Sequence, residues 1–298
     1  MEKFAVIDLG SNTFHLLIVQ LEADHQFSVV YRKRVYARLA RTGIGVISDL
    51  SFQEGLRILQ QFKDTIDQHQ VKKIKAVGTE MLRLAPNGSD FVQQAYKQTG
   101  LQIEIISGLK EAEYIYMGVK RLHPKSSYLI MDIGGGSVEF ILVIDGRQVW
   151  LTSIPIGIAV LYFRFHLSDP IADEELALLR HFLSEKTIHL AEALAEQPVE
   201  ELIGSSGVFE TFFDLLGAPS EKEIDALVIQ SRLKELITSS YDERLEMDEI
   251  PKMRKKMIIV ASVLLEFVLE QTSVKRVRYS PNSLKEGLLY AMIQENKI

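Results

Sequence analysis

Apolar positions fall into the same short blocks at two places along the chain. From Tyr128 the run to Met131 reads as a buried strand and Val138 to Ile144 as another, with Asp132, Gly134, Gly135, Gly136 and Ser137 between them. Phe4 to Leu21 repeats that order: strand, Asp8, an apolar residue, Gly10, then Ser11, Asn12 and Thr13, then strand. Laying Asp8 on Asp132 puts Gly10 on Gly134, Ser11 and Asn12 on Gly135 and Gly136, and Thr13 on Ser137. A repeat of this kind predicts two similar domains, each offering a phosphate-binding hairpin to a cleft between them. A dinucleotide-binding fold is disfavoured, because its glycine turn must open a helix and here a strand follows.

The remaining pattern fills in both halves. Phe27 to Val35 reads as a third strand, followed by a basic stretch with Arg32, Lys33, Arg34, Arg38 and Arg41 and a turn at 42–45. Ser51 with Glu54 forms a capping box for a helix whose apolar stripe is Leu56, Leu59, Phe62 and Ile66. Lys73 to Val77 and Leu101 to Ile106 read as strands, and Leu109 to about Leu122 as a helix. In the second half Gln148 to Ile154 completes a meander through a type I′ turn at Asp145 and Gly146. Helices are expected over 173–197, 221–239, 251–270 and 283–294, with strands at 201–203 and 275–279. The expected domains are 1–122 and 123–298, hinged near His123 and Pro124, with the last helix able to pack back on the first domain.

Composition narrows the classes. With 298 residues, 47% hydrophobic and 25% charged, the chain can bury two compact cores. It has no cysteine, which removes disulfides, thiolate catalysis and zinc–thiolate sites, and fits a cytoplasmic setting. The start MEKFAVIDLG is a strand rather than a signal peptide, and no apolar run reaches the ~18 residues of a membrane span. A net charge of −6 argues against broad nucleic-acid binding. The seven histidines show no metal-ligand spacing, and no GxSxG elbow is present.

Candidate chemistry gathers on the repeat. Glycine-rich hairpins can aim successive amides at a phosphate. Asp132 and Glu139 place carboxylates beside such a pocket, where a cation is needed, and magnesium is the natural choice. Arg83, just past the strand ending at Gly78 and Thr79, can clamp phosphate oxygens or pair with an acid. Glu111, in the first turn of a helix, can complement the helix dipole or take a proton from water. The turn Gly204 to Gly207, opening a helix, offers Ser206 and Gly207 to an anion or nucleoside, or is a plain strand-to-helix turn.

With these residues in view, the chain resembles the exopolyphosphatase and guanosine pentaphosphate phosphohydrolase family of the actin-like ATPase superfold. The likeness covers nearly the whole length, through IDLGSNTFHLLI, GTEMLRLAPNG, IISGLKEAEYIYMGV, MDIGGGSVEF, IGSSGVFETF and SLKEGLLYAM. It implies an α/β fold of two ribonuclease H-like domains with mixed five-stranded sheets flanking a cleft. It implies magnesium-assisted attack of water on a terminal phosphoanhydride of inorganic polyphosphate, or on the 5′ γ-phosphate of guanosine pentaphosphate. By motif, the catalytic base falls on Glu111. The phosphate loops fall on Ser11, Asn12, Thr13 and Gly134 to Ser137, the motif arginine on Arg83, and the magnesium-side acids on Asp132 and Glu139, with Asp8 a further candidate. A homodimer is compatible with the family.

The chain departs from the family pattern at Lys110 where a glutamate is usual, at Glu113 and Lys285 where arginines are, and at Val208 where a threonine is common. Two competitors remain: a sugar or acetate kinase of the same superfold, which would need an acceptor domain, and a non-catalytic nucleotide or polyphosphate sensor.

Overall fold

The computed structural model describes residues 2–22, 27–43, 45–123, 126–218 and 223–295. The chain divides into two compact units, Met1–Gly118 with Leu284–Ile298, and Val119–Ser283.

The first unit holds β1 (Lys3–Leu9), β2 (Phe14–Leu21), β3 (Phe27–Val35), β4 (Lys73–Gly78) and β5 (Ile103–Ile105) in the order β3-β2-β1-β4-β5. β1, β2 and β3 pair antiparallel; β4 and β5 add in parallel. Both faces of β1 and β2 carry buried residues, so layers cover the sheet on both sides. Helix Leu284–Glu295 packs on β1. It crosses helix Gly108–Lys120 so closely that a Cβ on Gly287 would lie 1.6 Å from the Tyr114 carbonyl oxygen. Phe52 of helix Asp49–Gln68 and Phe14 of β2 both meet Phe91 of helix Gly88–Thr99 edge-on, at 5.1 and 6.4 Å between ring centres.

The second unit holds β6 (Tyr128–Ile133), β7 (Val138–Ile144), β8 (Arg147–Ile154), β9 (Glu201–Ser205), β10 (Ile224–Asp225) and β11 (Arg276–Tyr279). Its order, β10-β11-β9-β6-β7-β8, repeats the first sheet: three antiparallel strands, then two parallel. Sequence reading expects five strands in each sheet, and the second has a sixth. The two-residue β10 pairs antiparallel with β11 at the edge, too short to show as a period. Helix Ile258–Glu270 is buried almost all round, as its unbroken apolar sequence requires, and packs against helices Ala226–Thr238, Asp173–Lys186 and Ile158–Phe165.

Several boundaries differ from expectation. The first helix starts at Asp49 with Ser48 as cap: the Ser48 Oγ accepts from the Ser51 amide at 3.4 Å, while Glu54 pairs with Arg57 instead of closing a capping box. The helix expected over 173–197 breaks at Thr187 into Asp173–Lys186 and Ile188–Glu196. The one expected from Pro251 begins at Ile258. The start of the helix expected at 221 and the hinge residue Pro124 lie outside the described residues; the helix itself runs Ala226–Thr238, capped by the Asp225 carboxylate. Asp145 and Gly146 have φ of 50° and 73°, the left-handed pair of a type I′ turn. Among the described residues no helix is long and apolar enough to cross a membrane.

Candidate active site

The two repeat hairpins are built alike. β1 and β2 pair with Asp8 opposite His15, and β6 and β7 with Asp132 opposite Glu139. The Gly10 amide donates to the Thr13 carbonyl and the Gly134 amide to the Ser137 carbonyl, each at 3.0 Å. Two residues, Ser11–Asn12 or Gly135–Gly136, cross each tip. At both first positions a Cβ would crowd that same carbonyl oxygen, at 3.0 Å for Gly10 and 2.9 Å for Gly134.

What holds the tips differs. In the first unit the amides of Arg38 and Ala40 donate to the carbonyls of Asn12 and Ser11 at 2.9 and 3.0 Å, from a segment in which Arg38 has a φ of 52°. In the second unit the donors are the amides of Gly157, Ile158 and Ala159, the start of helix Ile158–Phe165. They reach the carbonyls of Gly136, Gly134 and Gly135 at 2.9, 3.0 and 2.9 Å. Across a trans peptide the carbonyl of one residue and the amide of the next point oppositely. Each carbonyl anchored on the helix therefore turns the amides of Gly135, Gly136 and Ser137 away from it, towards one side. Successive amides so aligned form a concavity that suits an anion.

A polar row runs across the second sheet beside this loop. Ser205, Asp132, Glu139 and Ser153 are register partners on β9, β6, β7 and β8, so their side chains share one face. Ser205 donates to the Asp132 Oδ2, Ser283 donates to the same oxygen at 2.5 Å, and Ser153 donates to the Glu139 Oε1 at 2.6 Å. Both carboxylates are more than nine-tenths buried. Facing cross-strand residues have Cβ atoms about 5 Å apart, and two full charges at that distance repel by about 3 kcal/mol at an effective dielectric constant of 20. Two carboxylates, each oriented by a hydroxyl, fit magnesium, which takes one or two protein carboxylates and fills its sphere with water and substrate phosphate oxygens. In the corresponding row of the first unit, Asp8 is followed by His15 and Arg34. That row already carries a cation, so the case for a metal is stronger at Asp132 and Glu139 than at Asp8. Among the described residues no group of three or more His, Asp or Glu is gathered as a metal cage.

Ser206 has a φ of 77° and its hydroxyl donates to the Ile133 carbonyl at 3.1 Å, tying helix Ser206–Leu215 to the end of β6. The Gly207 carbonyl accepts from the Thr211 hydroxyl within the same helix. Val208 is buried in the core.

In the first unit Glu111 lies in the first turn of helix Gly108–Lys120, which the Ser107 hydroxyl caps through the Lys110 amide at 3.2 Å. The Arg83 guanidinium reaches the Glu111 Oε2 at 3.7 Å, the Ile106 carbonyl at 2.5 Å, and the Glu80 carboxylate at hydrogen-bond contact. Arg83 therefore serves two buried acids of its own unit; Glu80 is the partner that sequence reading misses. The departures Lys110 and Glu113 answer each other: Lys110 donates to Glu113 at 2.9 Å, which raises its pKa above the ordinary value, and its ammonium lies 4.9 Å from the Tyr114 ring centre. Lys285 pairs with the buried Glu286 at 3.1 Å, and Arg32 approaches the same carboxylate at 3.7 Å.

The sequence profile of the Ppx/GppA phosphatase family matches residues 17–296. The crystal structure of an exopolyphosphatase from Cytophaga hutchinsonii superposes with a TM-score of 0.92 at 32% identity, covering 99% of either chain. A Haemophilus influenzae protein named as a candidate exopolyphosphatase is 26% identical over 98% of this chain and 92% of its own length. The guanosine-5′-triphosphate,3′-diphosphate pyrophosphatase of Pseudoalteromonas atlantica is 27% identical over 98% of this chain, which spans 59% of that longer protein.

Proposed function

The chain belongs to the Ppx/GppA phosphatase family, and on that premise we propose that it hydrolyses the terminal phosphoanhydride of inorganic polyphosphate, releasing orthophosphate. The observation that carries the reading is the hairpin Gly134–Ser137, whose amides are turned to one side next to the buried row of Asp132 and Glu139. An enzyme that moves a phosphoryl group needs little covalent chemistry; positioning and charge neutralisation supply most of the rate. The amides of Gly135, Gly136 and Ser137 hold the terminal phosphate oxygens and keep doing so as charge builds on them. Ser11, Asn12 and Thr13 supply the second loop of the same kind. Asp132 and Glu139 hold magnesium, which when bound neutralises phosphate oxygens. Glu111 takes the proton of the attacking water, and Arg83 fixes the direction in which Glu111 points.

The likeness to the Pseudoalteromonas atlantica enzyme favours a second reading, removal of the 5′ γ-phosphate of guanosine pentaphosphate. Orthophosphate release measured side by side on polyphosphate and guanosine pentaphosphate, with magnesium titrated, separates the two. Faster, magnesium-dependent release from polyphosphate is expected. Faster release from the nucleotide selects the second reading, and release from neither at any magnesium concentration overturns the hydrolase assignment.

A further inference from the structure

Helix Ile158–Phe165 has no side-chain cap: its N-cap is Gly157, which offers no oxygen to the first-turn amides. The first amides of a helix have no partner inside it and must be satisfied from outside. Here the carbonyls of Gly134, Gly135 and Gly136 do so, at 2.9 to 3.0 Å. The fit leaves no room for a side chain, since a Cβ on Gly157 would lie 2.4 Å from the Gly136 carbonyl carbon and 2.5 Å from that of Gly135.

We propose that Gly157 and the backbone amides of Ile158 and Ala159 are positioning residues, locking the Gly134–Ser137 loop in the one form whose amides can receive a phosphate. The inference rests on the hydrolase reading above and assigns a duty to a segment that supplies no side chain to the chemistry. The mechanism is a relay of peptide dipoles. The positive end of the helix draws the three loop carbonyls onto itself, and the trans geometry of each peptide then turns the following amide outward. In the backbone bonding of the described residues outside strands and helices, the carbonyls of the loop are engaged by the helix while the amides of Gly135, Gly136 and Ser137 donate to none. The loop is thus preorganised before ligand arrives, and binding does not have to repay the ordering of three glycines, the residues with most backbone freedom to lose.

Ile158→Pro removes one anchor, the Ile158 amide. Proline is well tolerated at the first helical position, and the preceding Gly157 already has φ −63° and ψ 164°, the extended backbone that a following proline prefers. The donor to the Gly134 carbonyl is lost together with the packing of the part-buried Ile158 side chain on the core, so Ile158→Ala, which loses the packing and keeps the amide, is the matched control. Phe163→Gly, which weakens the far end of the same helix, is the second control. With tripolyphosphate as probe, Ile158→Pro should keep its circular dichroism and melt close to Ile158→Ala, yet bind about fivefold or more weakly, with KM raised more than kcat is lowered, while Ile158→Ala and Phe163→Gly bind like wild type. Gly157→Ala should weaken binding further.

Amide hydrogen exchange on the unaltered protein gives a readout independent of any variant. The amides of Gly157, Ile158 and Ala159 should be protected in the free protein, and those of Gly135, Gly136 and Ser137 only once tripolyphosphate is added. Exchange at Gly135–Ser137 that tripolyphosphate leaves unchanged, a folded Ile158→Pro binding within about twofold of wild type, or equal loss in Ile158→Ala or Phe163→Gly overturns the proposal. Wild-type protein that neither binds nor cleaves tripolyphosphate instead removes the hydrolase reading, and the positioning role with it.

Discussion

Ser283 donates a hydrogen bond to the Asp132 Oδ2 at 2.5 Å, joining residues 151 positions apart in the sequence. Ser205 donates to the same oxygen, so one carboxylate is oriented by hydroxyls from two separate parts of the second unit. If Asp132 holds magnesium, these hydroxyls fix the angle at which it does so. Ser283→Ala is then expected to raise the magnesium concentration for half-maximal phosphate release by roughly tenfold while saturating magnesium restores most of the rate. A magnesium titration of wild type and variant checks this; an unchanged midpoint would detach Ser283 from the metal.

Arg83 pairs with the buried Glu80 and faces Glu111 as well. Lysine has one ammonium and cannot match a planar fork spread over Glu80, Glu111 and the Ile106 carbonyl. Arg83→Ala, which leaves the acids without this cation, should cost about 3 kcal/mol of stability. Arg83→Lys should fall between the two in urea unfolding and still lose turnover. A Lys variant as active as wild type would show that charge alone, without the fork geometry, suffices.

Acid tolerance has a local contributor at Glu175. Burial pulls its pKa up, but hydrogen bonds from the Ser168 hydroxyl and from the amides of Ala172, Ser168 and Leu167 outweigh that and hold it below the ordinary 4.5. A carboxyl lowered by folding stabilises the native state above its unfolded pKa, and that stability is lost as the pH falls through the lowered folded value. Glu175→Gln should therefore be less stable than wild type at pH 7, with the gap closing as the pH drops below the ordinary carboxylate range. Melting curves across that range decide it. A gap that stays constant with pH would assign the effect to packing.

Much of this site is legible from the residues alone because the hairpins obey short-range rules. A glycine at the first turn position, an aspartate two residues before it and largely apolar runs on either side determine strand, turn and register, and the structure has Gly10 and Gly134 making the same amide-to-carbonyl bond. The anchors of those hairpins are not legible in the same way. Gly157 meets Gly135 and Gly136 only after the chain has run through β7 and β8, and nothing in the sequence around it reads as chemistry. Glu80 looks like a first-turn acid until Arg83 turns back on it. Ser283 reads as an ordinary helix start, yet its hydroxyl is spent on Asp132. Helix ends suffered for a related reason. Ser48 and Ser51 are both good caps, and which one wins depends on the Ser51 hydroxyl being drawn to the Arg38 carbonyl at 2.9 Å, a tertiary contact. The edge strand β10 is two residues long and exists through its pairing with β11.

The central claim is that Glu111 takes the proton of the attacking water. Glu111→Gln keeps the size of the side chain and removes the base, so single-turnover orthophosphate release at saturating polyphosphate and magnesium measures that claim most directly. General-base assistance is worth roughly 10²- to 10⁴-fold, and a loss of that order, in a protein whose melt and tripolyphosphate affinity are kept, is the predicted result. Release within about threefold of wild type would contradict it and take the base role away from Glu111.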